Sequence, residues 1–307
     1  MASTQNNSYF AKGNREGLTD TIADLFADDA PFFKMARKVR AISTKHEWQT
    51  DTLASSSKTG IVEGATITYS QNATRTRKAN YTQIRERNWD VTFTQMAVTT
   101  AGVKNDVSRE IMKAMKEIVL DYEAIFLNTG VTAAGATGTA RTAMGIQKAI
   151  ITNTAVGTGS GSSASIQLTE DNVNLLLQKI WDEGGDPRAM FCGGHNKRVI
   201  SKTFTAKTGY SFNINASTRQ AIANINKYEG SFGTIDIIPA REHLTKRITI
   251  VTPEQIKIAV LRDIEQYKGA ATKSSINGWL EGEMTLEYGN EKAHAKHSYL
   301  LDSGTIS

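Results

Sequence analysis

The chain has 307 residues, 39% hydrophobic and 22% charged, with 36 Lys and Arg against 31 Asp and Glu, for a net charge of +5. That length makes one large unit or two lobes, and the apolar fraction supports a core, which excludes wholesale disorder. No apolar run approaches the ~20 residues that span a bilayer, the opening residues lack the basic start and apolar stretch of a secretory signal, and the single Cys192 excludes an internal disulfide framework. A protein made and kept in cytosol-like conditions, with no membrane partner, is expected. The basic excess permits contact with nucleic acid without establishing it.

In chain order, residues 1–14 are polar and aperiodic and read as an arm. Leu18, Ile22, Leu25 and Phe26 then fall on one helical face, which Pro31 is expected to stop. This stretch is acidic, with Glu16, Asp20, Asp24, Asp28 and Asp29. The next is the reverse, with Lys34, Arg37, Lys38, Arg40 and Lys45 and no acid between 34 and 45. Residues 45–95 alternate with period two and contain few large apolar side chains between 50 and 80, which predicts a long hairpin that projects from a body and needs a partner surface.

The spacing of Ile111, Met115, Ile118, Val119, Tyr122, Ile125 and Phe126 predicts a helix over 108–128, with Asp121 and Glu123 on its charged outer face. Gly157 to Ser165 reads as a linker. Beyond it a helix capped by Thr169 turns Val173, Leu176, Leu177, Ile180 and Trp181 inward. A strand at 189–192, a helix near 196–204 and strands at 235–238 and 248–251 follow, so that 166–261 reads as an α/β or α+β lobe. Residues 262–300 return to strand character.

Few residue sets suggest catalysis. Cys192 and His195 form a nucleophile–base pair on paper, but a buried, inert Cys at a strand–turn–helix joint is the plainer reading. His294 and His297 point to opposite faces of a strand and cannot share a metal ion. The Gly157–Gly161 run lacks the strand and the Lys-Ser/Thr of a phosphate loop. No catalytic residue, cofactor or metal is therefore assigned. Three basic clusters can meet phosphates or acids on another subunit: residues 34–45; Arg75, Arg77, Lys78, Arg85 and Arg87; and Lys197, Arg198, Lys202 and Lys207.

Four stretches together carry a resemblance: Arg77-Lys-Ala-Asn80-Tyr-Thr82-Gln83-Ile84, the long helix with Asp121-Tyr-Glu123, Arg141-Thr-Ala-Met144-Gly145-Ile146, and Gly282-Glu283-Met-Thr285-Leu286-Glu287-Tyr-Gly-Asn290-Glu291-Lys-Ala293-His294. In this order the chain resembles the major capsid proteins of tailed bacteriophages, in particular a family of short major head proteins without a fused scaffold. The resemblance implies the α+β fold shared by tailed-phage and herpesvirus shells. Its parts would be an N-terminal arm (1–44), an extended loop (45–95), a peripheral domain with a long spine helix (96–165 and 262–307) and an axial domain (166–261). It implies a structural protein, not an enzyme, that self-assembles as hexamers and pentamers into an icosahedral head around double-stranded DNA. The implied partners are a portal and scaffolding or decoration proteins, and the implied place of synthesis is the host bacterial cytoplasm.

On that footing Asp24, Asp28 and Asp29 would meet Arg75, Arg77, Lys78, Arg85 and Arg87 of a neighbour, while Lys34, Arg37, Lys38 and Arg40 would face the genome. Lys58 and Asn277 or Asn290 are formally available for a covalent cross-link, but no pattern selects them and none is expected. A cargo-enclosing protein shell of the same fold and a Cys192/His195 hydrolase are the alternatives.

Overall fold

The computed structural model describes residues 30–53, 56–67, 69, 75–98, 103, 105–156, 168–207, 226–270, 273–298 and 300, the side chains of 156 and 204–207 excepted. The arm at 1–14, the helical face of 18–26 and the linker at 157–165 lie outside these residues. The class is α+β. A short helix α1 (Pro31–Met35) leads to β1 (Arg37–Arg40), β2 (Lys45–Thr50), β3 (Thr76–Tyr81), β4 (Gln83–Thr92), α2 (Phe93–Ala97), α3 (Asp106–Asn128), α4 (Ile146–Ala149) and β5 (Thr154–Val156). Then come α5 (Glu170–Asp182), β6 (Ala189–Cys192), α6 (Gly194–Lys207), β7 (Lys227–Gly230), β8 (Gly233–Pro239), β9 (Ile248–Val251), β10 (Lys257–Lys268), β11 (Ser275–Glu287) and β12 (Ala295–Ser298).

Among the described residues the strands form a four-stranded sheet in the order β1-β10-β11-β4, a six-stranded sheet β5-β12-β9-β6-β8-β7 and a separate β2-β3 ribbon. Helix α3 packs on the four-stranded sheet. Asn105 caps it, its side-chain oxygen accepting from the N–H of Ser108 at 3.2 Å. At 1.5 Å per residue it is a rod of about 34 Å. Its buried stripe is Ala114, Ile118, Tyr122, Ile125, Phe126 and Leu127, whereas Met115, expected to face inward, is exposed. The small Ala114 carries the stripe one position before Met115, a substitution that side-chain size hides in the sequence. The Tyr122 hydroxyl donates to the Gly282 carbonyl at 2.6 Å and ties the helix to β11.

Pro31 opens α1, at a first-turn position where its fixed φ and missing N–H cost nothing, and the helix it was expected to stop lies outside the described residues. Phe32 meets Phe191 edge-on with ring centroids 5.3 Å apart, and Phe33 stacks on Phe126 at 6.4 Å. Ala30, Phe32, Phe33 and Ala36, expected in the arm, therefore belong to the core, and β1 joins the body sheet parallel to β10. The apolar runs of β6 and β9 are buried on both faces. Ala189, Phe191 and Val251 face the core shared with α1, α3 and α4; Met190, Cys192, Ile248 and Ile250 face a second core under α5 and α6.

The strands also redraw the expected boundaries. The 45–95 hairpin shortens to β2 and β3, because β4 is an edge of the four-stranded sheet with Trp89 and Val91 buried. The strand expected through Phe93 ends at Thr92, which caps α2 by accepting from the N–H of Gln95 at 3.3 Å. The 261/262 boundary falls inside β10, which is continuous from Lys257. Strands β5 and β12, expected with α3, extend the six-stranded sheet. Trp181, expected inward, is exposed and stacks at a tilt on Phe232.

Candidate functional site

The β2-β3 ribbon pairs antiparallel from Lys45 opposite Tyr81 to Thr50 opposite Thr76. Its base is clasped to the body by buried polar contacts. The Trp48 indole donates to the Gly289 carbonyl at 2.9 Å and stands edge-on to Tyr288 at 4.8 Å. His46 Nε2 lies 2.8 Å from Glu287, and Lys257 donates to the other oxygen of that carboxylate at 2.8 Å. The buried Asn80 amide donates to the carbonyls of Leu286 and Met144, and Gln83 Oε1 accepts from the N–H of Ala143.

Beside them Thr82 and Arg141 donate to the buried Glu283 at 2.6 and 2.5 Å. Burial alone would raise the pKa of Glu283, but the bonds from Thr82 and Arg141 hold it below the usual carboxylate range. For Glu287 the His46 bond, reinforced by Lys257, does the same. The stretches that carry the family resemblance thus converge in space on one clasp. His46 and Trp48 escaped the sequence reading; their signal was the i, i+2 placement that puts both on one face of β2.

Beyond the ribbon, none of the described residues between Asp51 and Arg75 is in a helix or strand. Leu53 is 99% exposed, Tyr69 90%, and Ile61, Val62 and Ile67 also face solvent.

The basic residues expected to meet a neighbour divide. Arg77 is on the ribbon and Arg75 just outside it; both are largely exposed, Arg77 3.4 Å from Glu47 and Arg75 3.6 Å from Asp51. Lys78 lies within electrostatic reach of Glu291. Arg85 and Arg87 are not on the hairpin: they project from β4 onto α3, where Arg85 donates to Asp121 at 2.8 Å and Arg87 grips it through both oxygens at 2.8 and 2.7 Å. Burial would raise the Asp121 pKa, but Arg87 and Arg85 hold it low. These two arginines and Asp121 form a seam within one subunit, so Asp121 is not the solvated side chain expected.

Glu123, also expected outside, is buried and accepts from the N–H groups of Phe32 and Phe33 at 2.9 and 2.6 Å. Lys34, Arg37, Lys38 and Arg40 are exposed around α1 and β1, with the Lys38 ammonium 5.3 Å from the Phe33 ring centroid. Asp24, Asp28 and Asp29 lie outside the described residues. Lys197 is spent on Asn226 and the Ile237 carbonyl, each at 3.2 Å.

Nothing in these residues assembles a reaction centre. Cys192 is buried and its thiol is pushed up to about 12 by burial, far from the thiolate a nucleophile needs. His294 and His297 are buried and hydrogen-bonded to the carbonyls of Tyr288 and Ser298. Among the described residues no group of three His, Cys, Asp or Glu is placed to hold a metal ion, and no helix is long and apolar enough to cross a membrane. A groove of about 330 Å³ between Ile84 and residues 134–141 has Arg141 as its charged side chain, already tied to Glu283.

Comparison with known proteins fits this geometry. The fold is that of viral and virus-like shells. The structure superposes on the capsid subunit of cyanophage A-1(L) with a TM-score of 0.71, at 10% identity over 94% of this chain and 97% of the other. It matches the capsid of cyanophage P-SCSP1u with 0.63, at 11% identity over 94% and 93%. It matches the holo-SrpI encapsulin of Synechococcus elongatus PCC 7942 with 0.61, at 10% identity over 95% of both chains. A 122-residue stretch is 30% identical to the major capsid protein of Escherichia phage Phieco32, covering 39% of this chain; the alignment spans about a third of that relative (35%). The model of the SU10 major capsid protein family matches residues 3–300, and the chain belongs to that family.

Proposed function

We propose that the chain is a structural, non-enzymatic subunit that assembles through many copies of itself into the closed head of a tailed phage, as hexamers and pentamers around double-stranded DNA. The observation that carries this reading is the β2-β3 ribbon: a clasped base with an apolar extension that the described part of the chain leaves in water. In a ring of identical subunits such a surface finds the next copy, closed symmetry repeats the contact, and modest single contacts add up. The protein would be made in the host cytoplasm and end in the virion, with a portal and scaffolding or decoration proteins as further partners.

Within this reading Arg75, Arg77 and Lys78 remain the candidates for a neighbour's Asp24, Asp28 and Asp29. Lys34, Arg37, Lys38 and Arg40 remain candidates for DNA phosphates, by contact without sequence readout. Sedimentation and negative-stain imaging of the purified protein test the proposal. The intact chain is expected to give closed particles, and a chain lacking residues 52–75 is expected to stay a folded, soluble subunit. Particles of normal yield from the shortened chain would refute the ribbon's role.

The likeness to an encapsulin favours a second reading, a compartment around protein cargo. Particles from infected cells that hold nucleic acid decide for the first reading, and particles with protein and no nucleic acid for the second.

A further inference from the structure

Three cations remote in sequence meet at one end of the six-stranded sheet. Lys296 of β12 stands opposite Thr249 of β9 in the antiparallel register, so their side chains share a face. Arg247 is the residue just before β9, and its charge acts on the Lys296 ammonium. The ladder continues past it, where the N–H of Leu300 donates to the Lys246 carbonyl at 2.9 Å. Helix α4 covers the same face: Gln147 donates to the Thr249 hydroxyl, and the Lys296 ammonium donates to the Gln147 carbonyl at 2.6 Å, which brings Lys148 alongside. Beneath the cations lies a buried polar floor of Gln147, Thr249 and His243, with His243 Nε2 2.8 Å from the Thr249 hydroxyl and Gln147 Oε1 without a hydrogen-bond partner.

Lys296 is the unusual member. It is half-buried, and burial, with Arg247 and Lys148 repelling it, pulls its pKa below the ordinary lysine value. One of its three donors is used by a carbonyl, which carries no charge. Among the described residues none of the three cations makes an ion pair. The carboxylate within electrostatic reach, Glu291, is already held by the Thr152 hydroxyl and the N–H groups of Ile151 and Thr152. A half-buried ammonium among like charges is a site that an external anion would relieve.

We propose that Lys148, Arg247 and Lys296 form a phosphate-binding face for the backbone of duplex DNA. The inference rests on the DNA-enclosing reading and assigns it a second contact, apart from Lys34, Arg37, Lys38 and Arg40. An acidic peptide is the rival occupant, and residues 16–29 supply one. The DNA-enclosing reading decides for the duplex, whose phosphates every copy of the shell meets, whereas the acids Asp24, Asp28 and Asp29 of that peptide are those already proposed for Arg75, Arg77 and Lys78 of a neighbour. The polar side chains of the floor are buried, so base edges are not read and binding is indifferent to sequence.

The test is binding of the full-length protein to a short labelled duplex of arbitrary sequence across a salt series. Each phosphate contact contributes about −0.9 to the slope of log K against log salt, so Lys148→Gln should flatten the slope by about 1 and the triple change to Gln by about 2–3. Lys148 is exposed, so the single variant keeps the test open if the triple variant fails to fold. An unchanged slope in a folded variant overturns the proposal. So does a peptide of residues 16–29 that binds the parent protein and not the variant while the DNA slope stays constant. Particle formation by the unsubstituted chain is measured separately: its absence would sink the shell reading and leave the slope result standing.

Discussion

Glu123 shows how one residue can join two elements. The first turn of α1 has Ala30 at the capping position, with no side-chain oxygen to offer, and the N–H groups of Phe32 and Phe33 would be orphaned. Glu123, from the middle of α3, takes both. Glu123→Ala should cost about 2–4 kcal/mol, since two buried donors lose their acceptor. Urea denaturation of the unassembled subunit measures this, and a change under 1 kcal/mol would show that water replaces the carboxylate.

The buried histidines give a pH dependence with a definite sign. Burial lowers His243 and His294 to about 4 from an ordinary 6.5, so between those values the unfolded chain binds more protons than the folded one. Stability is then lost as pH falls from 6.5 towards 4, by up to roughly 3 kcal/mol for each histidine. Replacing His294 with Gln should flatten the denaturation midpoint between pH 6.5 and 5, and an undiminished slope would refute the assignment. At this scale the sequence was a poor guide: an acid spaced like its solvated neighbours is legible as surface, and only the fold reveals that Glu123 caps a distant helix.

Among elements, the seam between β4 and α3 separates two kinds of arginine that look alike in the sequence. Arg87 is 39% exposed and grips Asp121 at two points, while Arg77 is 68% exposed beside Glu47. Arg87→Glu should destabilise the isolated subunit by about 1–2 kcal/mol, well below the cost of breaking a fully buried pair because solvent screens it. Arg77→Glu should leave subunit stability within about 0.5 kcal/mol and act on assembly. Thermal melts of unassembled subunits compare the two, and equal losses would place both arginines in one network. The elements were mostly legible. Period two in β2 and β4, the 3.6 spacing of α3, and the Thr169 cap of α5 all follow from short-range rules. What failed was membership: β4 reads as the second arm of a hairpin because alternation reports a strand, not which sheet receives it. Trp181 sits at helical spacing from Leu177 but beyond the edge of the core, where periodicity continues and burial does not.

At the scale of the whole molecule, the exposed extension of the ribbon should behave differently alone and in company. Trypsin is expected to cut free subunits at the exposed Lys58 and to spare that bond in assembled particles. Equal cleavage in both would mean that the extension stays in water after assembly. The fold was legible in outline through the family resemblance, while the cluster of Lys148, Arg247 and Lys296 was not, because no local pattern links positions a hundred residues apart. The same long-range wiring affects how each copy is made. The chain lays down β4, crosses to β5, β6, β8 and β9, returns for β10 and β11, and crosses back for β12, which slots between β5 and β9. On a nascent chain the four-stranded sheet cannot close until β11 has emerged, at residue 287, nor the six-stranded sheet until β12 has, at residue 298, since β4 must wait for β11 and β5 for β12. Such non-local pairing folds slowly and late. A subunit whose synthesis stops before β11 would therefore leave β4 and β5 unpaired and both sheets incomplete, so each finished copy carries, in its topology, a check on its own completeness before it is offered to the others.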